Sequence, residues 1–294
     1  MTLKPVDYHL HSRFSVDSEA EPLALAQRAV ALGYGEVGFA EHVDFDPDVG
    51  DYGYYDDGAY TQAVEELRAQ FAAPADVAPP SSSRRRAEAA MATARRRRAT
   101  GAKSTGLTIL KGIEVDFQER YVEVISRFLS ERRFDYRIGS VHYLDGHFID
   151  EAGFAARSLA ETYRIYCRET RALIASEMFD ILGHLDYIRR RAVGRFQPDE
   201  VDAFAPMMAE LAVEAARAGL LLEVNVQRDR VPLPTVDSLR AYLEAGGPGV
   251  VVGTDSHSLE QFEGGWERTR AYLAQAGVTE VVLFADRQRR LEPL

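Results

Sequence analysis

The chain has 294 residues, 46% hydrophobic and 28% charged, enough to bury a large core. Its net charge of -11 leaves no basic footprint for a general nucleic-acid surface, and its single cysteine, Cys167, excludes an internal disulfide. There is no charged start followed by an apolar run and no stretch long enough to span a membrane. The expectation is therefore a cytoplasmic protein, a monomer or small homo-oligomer, with no membrane or nucleic-acid partner.

The first predicted strand is Val6 to His11, and in an extended strand residues two apart share a face, so His9 and His11 can reach one ion together. Alone the pair says little, because a solvated strand face carries histidines for no reason. Glu21 to Leu32 has helical spacing and stops at Gly33. A second strand, Glu36 to Ala40, ends in Glu41-His42, and Asp44 to Gly58 reads as a loop with turns. A helix over Tyr60 to Phe71 precedes a third strand, Thr108 to Glu114, and a helix over Val122 to Phe128. A fourth strand, Tyr136 to Ser140, leads to one long helix, Ala155 to Glu177. Phe179 to Leu182 is the fifth strand, Val201 to Ala218 a helix, and Leu220 to Val224 the sixth strand. A short helix over Val236 to Leu243 comes before the seventh, Val250 to Val252, and a helix over Trp266 to Gly277 before the apolar run Val281 to Phe284. Strands alternating with helices are the signature of parallel β-α units. Seven or eight of them point to an α/β fold with a barrel-like sheet, in one domain over 1–294.

One stretch leaves this rhythm. Residues 74–105 are rich in Ala, Pro, Ser and Arg, and segment 84–103 carries +7, leaving -18 on the rest of the chain. A tail for an anionic partner is one reading. No aromatics interleave with the arginines and the segment is internal, so a poorly ordered inserted loop is the preferred one.

The chemistry-bearing residues cluster where predicted strands end. They are His9 and His11, Glu41 and His42, Glu114 and Asp116, His142, His184 and Asp186, Asn225, then Asp255 and His257. If the sheet closes, these ends share one rim, where barrel enzymes build their sites. Imidazoles with carboxylates select Zn, Mn or Fe, and the donors exceed what one ion needs. Two or three divalent ions bridged by a carboxylate suit phosphate-ester hydrolysis. The phosphate needs arginines near the rim, and one is expected from Arg189–Arg191 and one from Arg228 and Arg230. His147 is read as a loop residue.

The ordered set Asp7-Tyr8-His9-Leu10-His11, Glu41-His42, Gly112-Ile113-Glu114-Val115-Asp116, Gly139-Ser140-Val141-His142, Gly183-His184-Leu185-Asp186 and Thr254-Asp255-Ser256-His257 resembles the polymerase-and-histidinol-phosphatase (PHP) superfamily. Within it the chain most resembles the histidinol-phosphate phosphatases, on Gly112 to Phe117, His184-Leu185-Asp186 with Arg189, and Asn225 with Arg230 before Pro232 and Pro234. The resemblance implies a distorted seven-stranded β/α barrel and three divalent metal ions, Mn, Zn or Fe. It puts His9, His11, Glu114 and Asp255 on a first ion, with Glu114 bridging to a second held by His142 and His184. Asp17, His42 and His257 would hold the third and carry the catalytic role, with Asp17 standing where many relatives have histidine. A carboxylate there favours harder ions. Asp7 and Asp186 are candidates to orient ligating imidazoles, and Glu41 is marginal. Arg189 or Arg190, Asn225 and Arg230 would bind the substrate. The implied reaction is hydrolysis of L-histidinol phosphate by direct attack of an activated water, with no phospho-enzyme. The rivals are another phosphoesterase of the superfamily, acting on nucleotides or nucleic-acid ends, and a metal-binding domain without catalysis. A chain lacking residues 76–104 is expected to fold and keep full turnover; lost turnover in a folded deletion would give the insert a role.

Overall fold

Short, nearly all-buried runs of Val, Ile and Leu, each followed by an amphipathic segment, produce the fold. The computed structural model describes residues 3–49, 52–72, 106–155, 157–262, 265–285 and 288–294, so the arginine-rich insert lies outside the described residues. The first half runs β1 (Val6–Leu10), α1 (Pro22–Ala31), β2 (Glu36–Val43), α2 (Asp57–Phe71), β3 (Thr108–Asp116), α3 (Val122–Glu131) and β4 (Ile138–Ser140). A small antiparallel hairpin, β5 (Tyr143–Leu144) and β6 (His147–Phe148), follows, then α4 (Glu151–Ala155), α5 (Leu159–Ala175) and β7 (Ile181–Leu182). Next come α6 (Tyr187–Ala192), α7 (Pro198–Asp202), α8 (Ala205–Arg217), β8 (Leu221–Asn225) and α9 (Val236–Glu244). The described chain closes with β9 (Val250–Gly253), α10 (Trp266–Ala276), β10 (Glu280–Ala285) and β11 (Gln288–Pro293).

Seven strands form one parallel sheet in the order β1-β2-β3-β4-β7-β8-β9. Its outer strands approach each other: Leu10 bridges Ser256 in parallel, and His11 N–H donates to the Ser256 carbonyl at 3.0 Å. The sheet is thus a nearly closed seven-stranded barrel, as expected. The candidate eighth unit is not part of it. Val281 to Phe284 lies in β10, which pairs antiparallel with β11, so this apolar run is satisfied by a C-terminal hairpin. Two expected helices are divided. The one read over Ala155 to Glu177 is two, because the Ser158 hydroxyl accepts from Glu161 N–H and starts α5 afresh. The one read from Val201 breaks before α8, whose first turn takes Pro206, a residue without an N–H to satisfy. Among the described residues no helix is long and apolar enough to cross a membrane.

Inward-facing glycines make the floor of the barrel. A Cβ on Gly38 would fall 2.0 Å from Tyr136 Oη, and one on Gly112 2.3 Å from its ring. The Tyr136 ring fills that space, and its hydroxyl donates to the Tyr8 carbonyl at 2.6 Å. Tyr8 and Phe284 pack on it at centroid distances of 5.3 and 5.5 Å. Gly112→Ala is expected to cost about 1–3 kcal/mol, the usual penalty of overpacking, seen as a lower denaturation midpoint with an unchanged slope.

Candidate metal centre

Parallel register decides which side chains share the rim. His42 stands opposite Glu114, and Asn225 opposite Gly253. Along β3 the alternation turns Gly112, Glu114 and Asp116 to one face, so the residue next above the Tyr136 floor is Glu114. In β1 the register slips between Asp7 and Leu10, a bulge that contains His9.

Glu114 is fully buried and is the hub. Its Oε2 lies 3.1 Å from His9 Nε2, 3.5 Å from His11 Nε2 and 3.0 Å from His42 Nδ1. Its Oε1 accepts from Ser140 Oγ at 2.5 Å and lies 2.9 Å from His184 Nε2. Asp255 Oδ1 lies 3.3 Å from His11 Nε2 and 3.9 Å from His9 Nε2. His142 and His184 face each other through their Nε2 atoms at 3.2 Å. His42 and His257 do the same at 3.3 Å, with Asp17 Oδ2 3.0 Å from His257 Nε2 and 3.7 Å from His42 Nε2. All nine residues expected as ligands therefore meet in one cluster at the C-terminal rim.

The cluster fits divalent metal ions. His9 Nε2, His11 Nε2 and Glu114 Oε2 are buried close together yet have no hydrogen-bond partner, so they converge without bonding one another. Such burial is costly unless a shared positive point answers it. Among the described residues three overlapping sets place their donor atoms within 4.8 Å: His9, His11 and Glu114; His42, Glu114 and His142; and His11, His42 and His257. The protonation balance has the same logic. Burial holds His11 well below the usual imidazole range and pushes His142 down to about 3, which keeps both neutral. Burial opposes charge on Glu114 and Asp255 too, but the surrounding imidazoles outweigh it and hold both carboxyls well below their usual range.

Carboxylates and hydroxyls behind the cluster aim it. Glu223 is the residue that the strand pattern does not reveal. Its Oε1 holds His9 Nδ1 at 2.7 Å and accepts from Asn225 Nδ2 at 2.8 Å, while Oε2 accepts from His184 N–H at 2.7 Å. A carboxylate on the far ring nitrogen fixes the tautomer and orientation of a ligating histidine. The signal was present: an acid inside Leu221-Leu222-Glu223-Val224-Asn225, two residues from Asn225 and so on its face. Gly253 makes the pairing possible, because a Cβ there would fall 2.1 Å from Glu223 Oε1. Glu41 is also more than marginal. It accepts from Ser12 N–H, Ser12 Oγ and Ser15 Oγ, and Ser15 Oγ in turn lies 3.1 Å from His11 Nδ1.

Asp7 and Asp186 do not orient imidazoles. Asp7 accepts from the Thr254 hydroxyl and N–H and from His9 N–H, fastening β1 to the loop after β9. Asp186 caps α6 and binds Arg189 and the Tyr163 hydroxyl. Of the adjacent arginines, Arg190 reaches the cluster: it is buried, 3.3 Å from Asp255 Oδ2, and donates to Asn225 Oδ1 at 2.7 Å. Arg189 does not, its guanidinium being held between Asp186 and Asp202. Arg230 lines, with Arg190, Arg191 and Arg195, a pocket of about 550 Å³. His147 is exposed and sits in β6 rather than in a loop.

A nearly closed parallel barrel with this cluster on its C-terminal rim defines a metal-binding β/α-barrel enzyme. Residues 7–227 match the family model of the PHP domain, and the chain belongs to that family. It is 25% identical over 289 residues to the histidinol-phosphatase of Lactococcus lactis subsp. lactis, covering 96% of this chain and 95% of that protein. It is 35% identical over 159 residues to a protein of Deinococcus radiodurans named as a probable histidinol-phosphatase, covering 51% of this chain and 58% of that one. The crystal structure of the Lactococcus lactis histidinol phosphate phosphatase, complexed with zinc, L-histidinol and phosphate, is similar in fold, with a TM-score of 0.77 at 23% identity over 98% of this chain and all 100% of that one. A structure from Listeria monocytogenes is similar with a TM-score of 0.60 at 17% identity, over 90% of this chain and 99% of that chain. Glu223→Gln is expected to weaken metal at the His9 position about 10- to 100-fold, read by metal titration of the folded variant; unchanged affinity would remove Glu223 from the site.

Proposed function

We propose that this chain is a histidinol-phosphatase, hydrolysing L-histidinol phosphate to L-histidinol and phosphate as a step of histidine biosynthesis, with the whole chain as one catalytic domain. The observation that carries the chemistry is Arg190, a buried guanidinium 3.3 Å from Asp255 at the edge of the imidazole–carboxylate cluster, which brings an anion-binding group against a metal-binding one. The substrate is supported by the Lactococcus lactis relative, whose likeness runs nearly end to end.

The ligand assignment is the one that the family resemblance implies. His9, His11, Glu114 and Asp255 hold one divalent ion; Glu114, His142 and His184 a second; and Asp17, His42 and His257 a third, with zinc, manganese or iron as the candidates. Bound ions supply a water acidic enough to act near neutral pH and offset charge on the phosphoryl oxygens. The chain's own residues do the rest. Arg190 presents its guanidinium to the phosphate, kept in place by Asn225 Oδ1 and the Val231 carbonyl, and Arg230 closes on the anion from the neighbouring loop. His9 is locked by Glu223 and His11 by Ser15, so neither ring turns away from the cluster. The leaving oxygen would take its proton from a bound water or from a group on the rim, a histidine or the Asp17 side chain, which is half exposed at the cleft mouth.

A phosphate-release screen tests the substrate. L-Histidinol phosphate is expected to give the highest kcat/KM, and hydrolysis of nucleotides at an equal rate would overturn the assignment. Within that assay Arg190→Ala is expected to lower kcat/KM about 100-fold, the scale of a lost charged hydrogen bond to the substrate. Arg189→Ala is expected to fall far less; the reverse order would exchange their roles.

A further inference from the structure

The pocket beside the cluster holds more positive charge than one substrate phosphate accounts for. Arg190, Arg191, Arg195 and Arg230 all line its volume of about 550 Å³, in a chain whose net charge is -11. Two acids share the wall, but each is engaged elsewhere. Asp150 Oδ1 accepts from Gly153 N–H at 3.0 Å, and Asp229 Oδ2 lies 3.5 Å from Arg228 Nε. Like charges gathered round one opening repel. Burial holds the Arg190 guanidinium below its usual range against the pull of Asp255, and the charge of Arg230 lowers it further. The phosphatase reading uses Arg190 and Arg230 and leaves Arg191 unexplained.

Arg191 is partly buried and held in one orientation. Its Nε donates to the Ile149 carbonyl at 3.0 Å, and its guanidinium carbon stands 5.0 Å from the Phe148 ring centre and 5.6 Å from that of Tyr187. Those two rings also wall the cleft over the metal-binding cluster, where Tyr187 lies at a centroid distance of 4.9 Å from both His142 and His184. The stem and face of the guanidinium are thus fixed, while its two Nη groups have no hydrogen-bond partner among the described residues. No carboxylate among the described residues pairs with it either, whereas Arg189 is bonded to Asp186 and Asp202 and Arg190 to Asp255. One residue along α6 turns the side chain by about 100°, so Arg190 faces the cluster and Arg191 does not. A guanidinium fixed by its stem presents a ready fork to an oxyanion.

We propose that Arg191, with Arg230, forms a second anion seat, separate from the one at the cluster, that takes a free phosphate dianion. The dianion offsets the repulsion among the guanidiniums. The pocket's 550 Å³ is roughly eighteen times a water molecule's share of the liquid, about 30 Å³, so a phosphate there leaves the position at the cluster free. Metal ions have no part in the seat, because none of the nine cluster residues lines the pocket. The inference goes beyond the phosphatase reading and rests on the pocket rather than on turnover. Where that reading holds, the seat receives phosphate released at the cluster, one guanidinium away.

The test is a stoichiometry rather than a rate. Inorganic phosphate is titrated calorimetrically into the metal-loaded enzyme with no substrate present. Wild-type enzyme is expected to bind two phosphates per chain and Arg191→Gln one, the remaining site keeping its affinity within about twofold, as independent sites do. A single phosphate on the wild-type chain would overturn the proposal, as would two bound undiminished by Arg191→Gln. Val193 gives a second measurement if Arg191→Gln does not fold. It lines the same pocket with 63% of its surface exposed, so a new charge there leaves the core packing alone. Val193→Asp is expected to weaken the outer phosphate and Val193→Lys to tighten it, each about two- to fivefold, the scale of one charge pair near the surface. At about 1 M salt, where screening acts over about 3 Å, the three chains are expected to converge. Equal affinities at low salt would overturn the seat. The two readings also fail separately. Two bound phosphates on an enzyme that hydrolyses no phosphate monoester remove the phosphatase and keep the seat; good turnover of L-histidinol phosphate with one bound phosphate does the opposite.

Discussion

Everything on the rim depends on one buried carboxylate. Glu114 has no exposed surface, and four imidazoles approach its two oxygens within 3.5 Å. An ionised group in such a place is costly unless it is answered at close range. The burial of Glu114 and the crowding of the histidines are therefore one requirement. Neither half is stable without the other, and together they concentrate positive-seeking atoms at the mouth of the barrel.

Support for that arrangement is built from below and behind. Below, Gly38 and Gly112 give up side chains so that the Tyr136 ring can close the floor, and the Tyr136 hydroxyl ties β1 in place through the Tyr8 carbonyl. Behind, Glu223, Ser15 and Glu41 hold His9 and His11 by the nitrogens that face away from Glu114. Asp7 fastens β1 to the Thr254 loop, which carries Asp255 and His257, so the two ends of the barrel seam arrive at the cluster together. Orientation of the rings thus rests on groups that touch no substrate, the usual way a metal-binding site is made rigid.

Legibility followed the range of the interaction. The strands, the α/β class and the donors at strand ends were readable because each is announced locally: an apolar run of the right length, then His or an acid at its end, whereas Asp17, in the loop between β1 and α1, came only from the family resemblance. Glu223 escaped because a glutamate inside a leucine-rich strand announces nothing until His9, 214 residues away in sequence, is brought to it. Arg189 and Arg190 are adjacent and chemically identical, so only the direction of the α6 turn separates them: one points to Asp186 and Asp202, the other to Asp255 and Asn225. The run Val281 to Phe284 looked like an eighth barrel strand because a buried strand reads the same whether it pairs in a barrel or in a hairpin.

By itself the sequence determined the alternation of strands and helices, the parallel class, and the residues able to bind metal, since these depend on hydrophobic spacing and donor chemistry carried within a few residues. Tertiary structure decided the rest. Closure of β1 onto the loop after β9 brings His9 and His11 to Asp255, and register across β2 and β3 sets His42 against Glu114 and Asp44 beside Asp116. His9 and His11 began as two imidazoles on one strand face. Their meaning comes from contacts with residues more than a hundred positions away, which local spacing does not encode.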